Sequence, residues 1–309
     1  MTNETATRSA AARATLWVAL SACGFGAIAI FITIGTRTGA PLLNLLTWRY
    51  LLAALVLGAI GAFARALRFD RSSLRVLLLA GVGQSLVAFV SLSALRYIPA
   101  ATLSFLFYTF PAWVAIIARV RHSEPLTPRR LLALGFSLAG IFVMVGAPGG
   151  AGLHPTGVAL ALVAALLYAV YIPMIGALQR GHGAVATATY MSAGAAIILG
   201  TAAAARGELF LMLQPVGWLA GIALALISTV GAFLLFLRGL ATLGSVRTAI
   251  VSTVEPFFTS LLAAWLLDQA LTQATLIGGA FIAAAVVLLQ TGDGGGTSPS
   301  AVSPRSSAG

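Results

Sequence analysis

The chain has no lysine, seven acidic residues and one cysteine in 309 positions. Each scarcity excludes something. Without lysine there can be no GxxxxGK[ST] loop, so the chain carries no Walker-type site for nucleotide hydrolysis. With Cys23 alone, no internal disulfide framework can form. The histidines His122, His154 and His182 lie far apart, and neither HExxH nor GxSxG occurs. No metal site, cofactor or enzymatic activity is expected. Charged residues make up 8% of the chain and hydrophobic ones 60%, against a usual balance of about 25% and roughly 45–50%. No water-soluble fold could hide so much apolar surface.

What is present is a series of apolar runs, each close to the roughly 20 residues a helix needs to cross about 30 Å of hydrocarbon. Ten are counted, near residues 15–35, 42–63, 74–94, 100–118, 130–147, 157–178, 184–204, 215–237, 246–267 and 273–290. Barrel strands would be segments of about ten residues alternating in polarity, and that pattern is missing. The expected fold is therefore an all-α polytopic membrane protein with ten transmembrane helices.

The net charge of +11 would suggest nucleic acid in a soluble protein; here it gives orientation. With the N-terminus inside, fourteen arginines fall on the cytoplasmic side, three (Arg37, Arg96, Arg206) fall outside, and Arg49 lies within a span. That positive-inside bias predicts both termini in the cytoplasm and no nucleic-acid partner. Arginine without lysine suits a GC-rich bacterial genome, hence a bacterial cytoplasmic (inner) membrane. The LSAC at 20–23 resembles a lipoprotein cleavage box, but the apolar run continues to Ile34, beyond the 7–15 residues of a cleaved h-region. The first segment is expected to remain a spanning helix.

The predicted organisation is a cytoplasmic tail at 1–14, a five-helix half at 15–147, a linker at 148–156, a second half at 157–290 and a Gly/Ser/Pro-rich disordered tail at 291–309. Shifted by 145 residues, Pro111 falls on Pro256, Leu92 on Leu237, and the PLT of 125–127 on the ALT of 270–272. Five helices per half is odd, so the halves enter the membrane from opposite sides. Such inverted repeats characterise secondary transporters with midplane sites.

Short termini, two such halves, Trp48-Arg49-Tyr50, the Pro111…Glu124-Pro125-Leu126-Thr127 pattern and VEPFFTSLLAAWLLDQALT at 254–272 together resemble the EamA group of the drug/metabolite transporter superfamily. The resemblance covers residues 15–290. It implies a ten-helix transporter whose central cavity is lined mostly by helices one, three, four, six, eight and nine. It implies no particular substrate. Leu267-Asp268-Gln269 stands where the family commonly has Gly-Glu, so no role passes to Asp268.

Glu255, followed by Pro256, is a carboxylate near the midplane of the ninth span, where an ionised group costs at least about 2.5–3.5 kcal/mol. It must be paired, solvated or protonated. Thr248, Ser252, Glu255 and Thr259 follow at helical spacing and should share one face. Pro256 should leave the Ser252 carbonyl without its helical donor, a polar notch for an amine, a hydroxyl or a proton. Alternatively Glu255 is a structural acid and Pro256 a simple kink. Arg49 reads as a structural or orienting charge, able to reach Glu255 or to snorkel outward. Gln84, with Ala88 and Ser91, makes a polar face on the third helix, matched in the repeat by Thr229 beside Ser228. Tyr108 and Thr109 precede the kink residue Pro111, and Tyr168 and Tyr171 precede Pro173. These could face the cavity; serines and threonines can also satisfy themselves on the i−4 carbonyl, and tyrosines and Trp113 can sit at the interface. Gly217 and Gly221 form a GxxxG suited to close helix packing.

The expected function is a secondary transporter exporting or exchanging a small, amino-acid-like or related solute by alternating access, with protons as a candidate coupling partner and the lipid bilayer as its environment. A channel, or a structural or sensory membrane protein, is the alternative. A monomer and a homodimer are equally compatible.

Overall fold

The computed structural model describes residues 2–68, 70–98, 100–120, 127–145, 154–210, 213–267 and 273–290. Glu124-Pro125-Leu126, Asp268-Gln269 with the ALT that follows, most of the linker and the C-terminal tail lie outside these. The described residues are helical throughout, without strands. In order they form α1 (Thr2–Arg37), α2 (Leu42–Phe63), α3 (Arg71–Arg96), α4 (Ala100–Phe107), α5 (Phe110–Val120), α6 (Pro128–Val145), α7 (Pro155–Gly181), α8 (Gly183–Ala205), α9 (Pro215–Leu243), α10 (Ser245–Val251), α11 (Val254–Leu267) and α12 (Gln273–Gln290). The tail expected at 1–14 is thus helical from Thr2 and continuous with the first span.

Seven runs are long and apolar enough to cross a membrane: Ser9–Arg37, Leu42–Phe63, Arg71–Arg96, Pro155–Gly181, Gly183–Ala205, Pro215–Leu243 and Ser245–Leu266. Their outer faces are oily, with Phe63 92% and Trp265 77% exposed, as a bilayer permits and water does not. Inside, small residues let backbones approach. A Cβ on Gly81 of α3 would lie 2.7 Å from the Gly194 Cα of α8. The GxxxG of α9 works at one end only. A Cβ at Gly217 would meet Thr38 Oγ1 at 3.0 Å, and one at Gly221 would meet nothing within 4 Å.

The packing pairs repeat the shift of 145. α2 packs most extensively on α8, its counterpart in the other half, and α6 on α12 likewise. α1 packs on α9, and α7, the counterpart of α1, packs on α3, the counterpart of α9. The halves therefore interlock rather than sit side by side.

Four segments depart from regular helix. α3 and α9 each contain a wide π turn, at Val76–Ala80 and Leu226–Gly231. α4 and α5 are separated at Tyr108-Thr109, and α10 and α11 at Ser252-Thr253. Both breaks precede the repeat-related prolines Pro111 and Pro256, which sit in the first turns of α5 and α11. There a missing N–H costs nothing, because the first donors of a helix have no internal partner.

Candidate functional site

A cavity of about 130 Å³ lies where these irregular spans meet. α1, α3, α4, α5, α7, α9 and the α10–α11 segment all line it, the set that the resemblance implies, and α2 adds Arg49. Its wall is aromatic: Phe107 and Tyr168 centroids are 5.2 Å apart, Phe110 and Tyr168 meet edge-on at 4.8 Å, and Tyr108 lies 5.4 Å from Phe110. Such edge and tilted contacts fix ring positions.

Into this wall the break between α10 and α11 sets Glu255. The chain turns at Ser252-Thr253, and α11 restarts at Val254, so Glu255 stands in a first helical turn. The positive end of that helix lies at the same depth as the carboxylate, an arrangement found in broken-helix transporters. The Ser252 carbonyl is not free, contrary to the sequence expectation. It accepts the Glu255 N–H at 3.0 Å. A turn has replaced the helix there, so the proline removes no bond that the turn needs.

Ser252, Glu255 and Thr259 line the cavity, while Thr248 of the same stripe does not. Thr248 is fully buried, its hydroxyl unpartnered. Ser252 Oγ donates to the Thr248 carbonyl at 2.8 Å. Thr259 Oγ1 donates to the carbonyls of Gly26 (3.1 Å) and Glu255 (2.9 Å), clamping α11 onto α1.

Arg49 does not snorkel. It is 2% exposed, with Nε donating to Thr229 Oγ1 at 2.8 Å, an Nη to the Ser228 carbonyl at 3.3 Å, and the guanidinium carbon 4.8 Å from the Tyr50 ring centre. Thr229 Oγ1, in the π turn, in turn donates to the Leu224 carbonyl just before it at 2.8 Å. Arg206 and Glu208 form an ion pair at 3.0 Å, whereas no ion pair joins Arg49 to Glu255. Both side chains nevertheless line one cavity. Ser228 and Thr229 stand behind Arg49 as its supports, outside the lining.

Gln84 lines the cavity, its Nε2 donating to Tyr50 Oη at 2.8 Å. The repeat-related Gln84 and Thr229 thus hold consecutive residues of α2. Tyr108 is 2% exposed, and its hydroxyl faces the Glu255 carboxyl without reaching hydrogen-bond geometry. Thr109 donates to the Leu106 carbonyl at 2.8 Å, outside the lining. Tyr171, also outside it, donates toward the Ala80 carbonyl at 3.0 Å and Met191 Sδ at 2.8 Å. Trp113 is 42% exposed on the outer surface.

The sequence reading missed Phe25, Phe107 and Phe233 as lining residues. A phenylalanine in an apolar run gives no signal by itself. The repeat register does: Phe107 matches Ser252, Phe110 matches Glu255 and Ala88 matches Phe233, and all six line the cavity.

Comparison with known proteins agrees with this architecture. A solved structure titled only "Crystal structure of protein" has the same fold, with a TM-score of 0.75 at 22% identity over 89% of this chain and 96% of its own. An uncharacterized transporter of Archaeoglobus fulgidus is 26% identical over 277 residues, covering 88% of this chain and 94% of the relative. Two stretches, residues 12–146 and 155–291, each match the EamA-like transporter family, and the chain, a membrane transporter, belongs to that family.

Proposed function

We propose that this protein is a secondary transporter that carries a small, amino-acid-like metabolite across the bacterial cytoplasmic membrane by alternating access. Ten spans, counting α4 with α5 and α10 with α11, form two inverted five-helix halves, 15–147 and 157–290, with both termini in the cytoplasm. The observation that carries the reading is the presence of both Glu255 and Arg49 in the lining of one aromatic-walled cavity. The carboxylate binds the ammonium or a hydroxyl of the solute, or a proton exchanged for it. The guanidinium, already held by Thr229 and Ser228, attracts the solute's carboxylate. The rings cover its apolar part. Rocking of the halves about the broken spans exposes the cavity to each side in turn, in export or exchange.

The test is a thermal-shift screen of the purified protein against metabolites, since a ligand of the native state raises its apparent stability. Hits are followed by flux in proteoliposomes, for the parent and for Glu255→Gln. The expected result is a zwitterionic hit whose saturable flux disappears in the folded variant. Undiminished coupled flux in Glu255→Gln would remove the carboxylate from the mechanism.

A further inference from the structure

A second and larger cavity, about 790 Å³, shares no lining residue with the aromatic one. It opens among the last turns of α7 and α9 and the first turns of α8 and α10, with Trp17 of α1 and Ile117 of α5 on its far side. These are the helix ends marked by Arg180, Arg238 and Arg247, on the arginine-rich face. None of the residues assigned to the solute above lines it.

Its chemistry is one-sided. Arg180 and Arg238 both line it and are exposed, and no acidic residue is among its described lining. Two guanidinium groups from different helices, with no carboxylate in the described lining, are the donors that an oxyanion takes. The N-terminus of α8, a helix of 23 residues, enters the same space through Gly183 and Ala184, and its N-cap His182 makes no side-chain capping bond. The first amides of a helix lack internal partners and present a positive end.

A third, independent feature is Gln179. It lines the cavity at 5% exposure, donates Nε2 to the Leu237 carbonyl at 3.0 Å, and leaves Oε1 without a donor. A buried acceptor left unmade is costly, and a ligand hydroxyl would satisfy it. Trp17, Ile117 and Leu240 supply apolar surface beside these groups, and a tryptophan there suits the membrane interface.

We propose that this cavity binds a hydroxyl-bearing phosphate ester, its phosphate between Arg180 and Arg238 at the start of α8 and its hydroxyl on Gln179 Oε1. Two sources carry that chemistry: the glycerol-phosphate headgroup of an anionic lipid, and a soluble polyol phosphate. The site is separate from the central cavity, so its test does not depend on transport.

The experiment measures ligand binding to the full chain in a neutral detergent by native mass spectrometry and thermal unfolding. The probes are phosphatidylglycerol, phosphatidylcholine, phosphatidylmethanol and free glycerol phosphate. Phosphatidylglycerol should bind and raise the unfolding midpoint, with phosphatidylcholine, whose own ammonium masks its phosphate, binding far less. Losing two charge-assisted contacts in Arg180→Gln/Arg238→Gln should weaken phosphatidylglycerol by about tenfold or more, while Glu255→Gln binds it as the parent does. Phosphatidylmethanol, with no free hydroxyl, should bind more weakly than phosphatidylglycerol. Displacement of the lipid by glycerol phosphate identifies a soluble ligand, and its failure to displace identifies a lipid site. Because both arginines are exposed, the double variant should keep the parent's unfolding midpoint without ligand. Equal binding of phosphatidylglycerol and phosphatidylcholine, or undiminished binding by the double variant, overturns the proposal; equal binding of phosphatidylmethanol overturns the part assigned to Gln179.

Discussion

At the scale of single residues, Arg49 and Tyr108 make opposite predictions. Arg49 is buried, and its guanidinium depends on Thr229. Thr229→Val keeps the shape but removes that acceptor, and should cost about 1–3 kcal/mol, the penalty for orphaning a buried donor, read as a lower midpoint in detergent-based unfolding. Tyr108 has a buried hydroxyl with no protein partner. Tyr108→Phe should therefore leave the unfolding free energy within about 0.5 kcal/mol of the parent or raise it, while reducing flux of the zwitterionic solute. A loss of stability without loss of flux would make Tyr108 a packing residue. Glu255 was legible in the sequence because one carboxylate in an apolar span has an evident energetic cost. The supports of Arg49 were less legible: Ser228 and Thr229 stood out as polar, but only the fold shows that they face a guanidinium from α2.

At the scale of helices, hydropathy and the two prolines announced the ninth and fourth spans, yet not how they break. A proline is compatible with a kink or with a restart, and the short-range bond from Glu255 N–H to the Ser252 carbonyl decides for the restart. The π turns carry no sequence signal at all, since they depend on distant helices: that of α3 packs on α8, and that of α9 packs on α1 and takes the Arg49 bond from α2. Contact between α1 and α11 gives a further test. A Cβ on Gly26 would lie 2.8 Å from Thr259 Oγ1 and 3.1 Å from the Glu255 carbonyl, which is backbone and cannot step aside. Gly26→Ala should then destabilise by about 1–3 kcal/mol through overpacking, and Thr259→Ser, which retains the hydroxyl, should not relieve it. At the start of α3, outside the membrane, Asp70 caps the helix by accepting the Ser73 N–H at 2.7 Å. That N–H first, and the Ser73 hydroxyl second, hold the Asp70 carboxyl below its ordinary range. The capping contribution is therefore full above about pH 4, the usual unfolded value, and is lost as pH falls through the lower folded value. Asp70→Ala should lower the unfolding midpoint at pH 7, and the gap from the parent should close in strongly acidic buffer.

At the scale of the whole molecule, the pseudo-symmetric packing of α2 on α8 and α6 on α12 ties the two halves into one body. Inverted halves predict the side of each loop. A reporter inserted at Gly207 should read as external and one inserted at Gly244 as cytoplasmic; the same side for both would refute the inverted topology. The sequence by itself determined the membrane as solvent, the helical class and the family, and it located the seven long apolar helices, because each follows from the free energy of apolar runs, charges and prolines in a bilayer. It also singled out Glu255 and the register that pairs it with Phe110. Tertiary structure alone decided that Arg49 is buried on Thr229 rather than snorkelling, that Tyr171 packs away from the cavity while Phe233 lines it, and that Gln179 and Arg180 share a second cavity with Arg238. Those outcomes depend on which faces of distant helices meet, and residues so far apart along the chain acquire their partners only when the bundle closes.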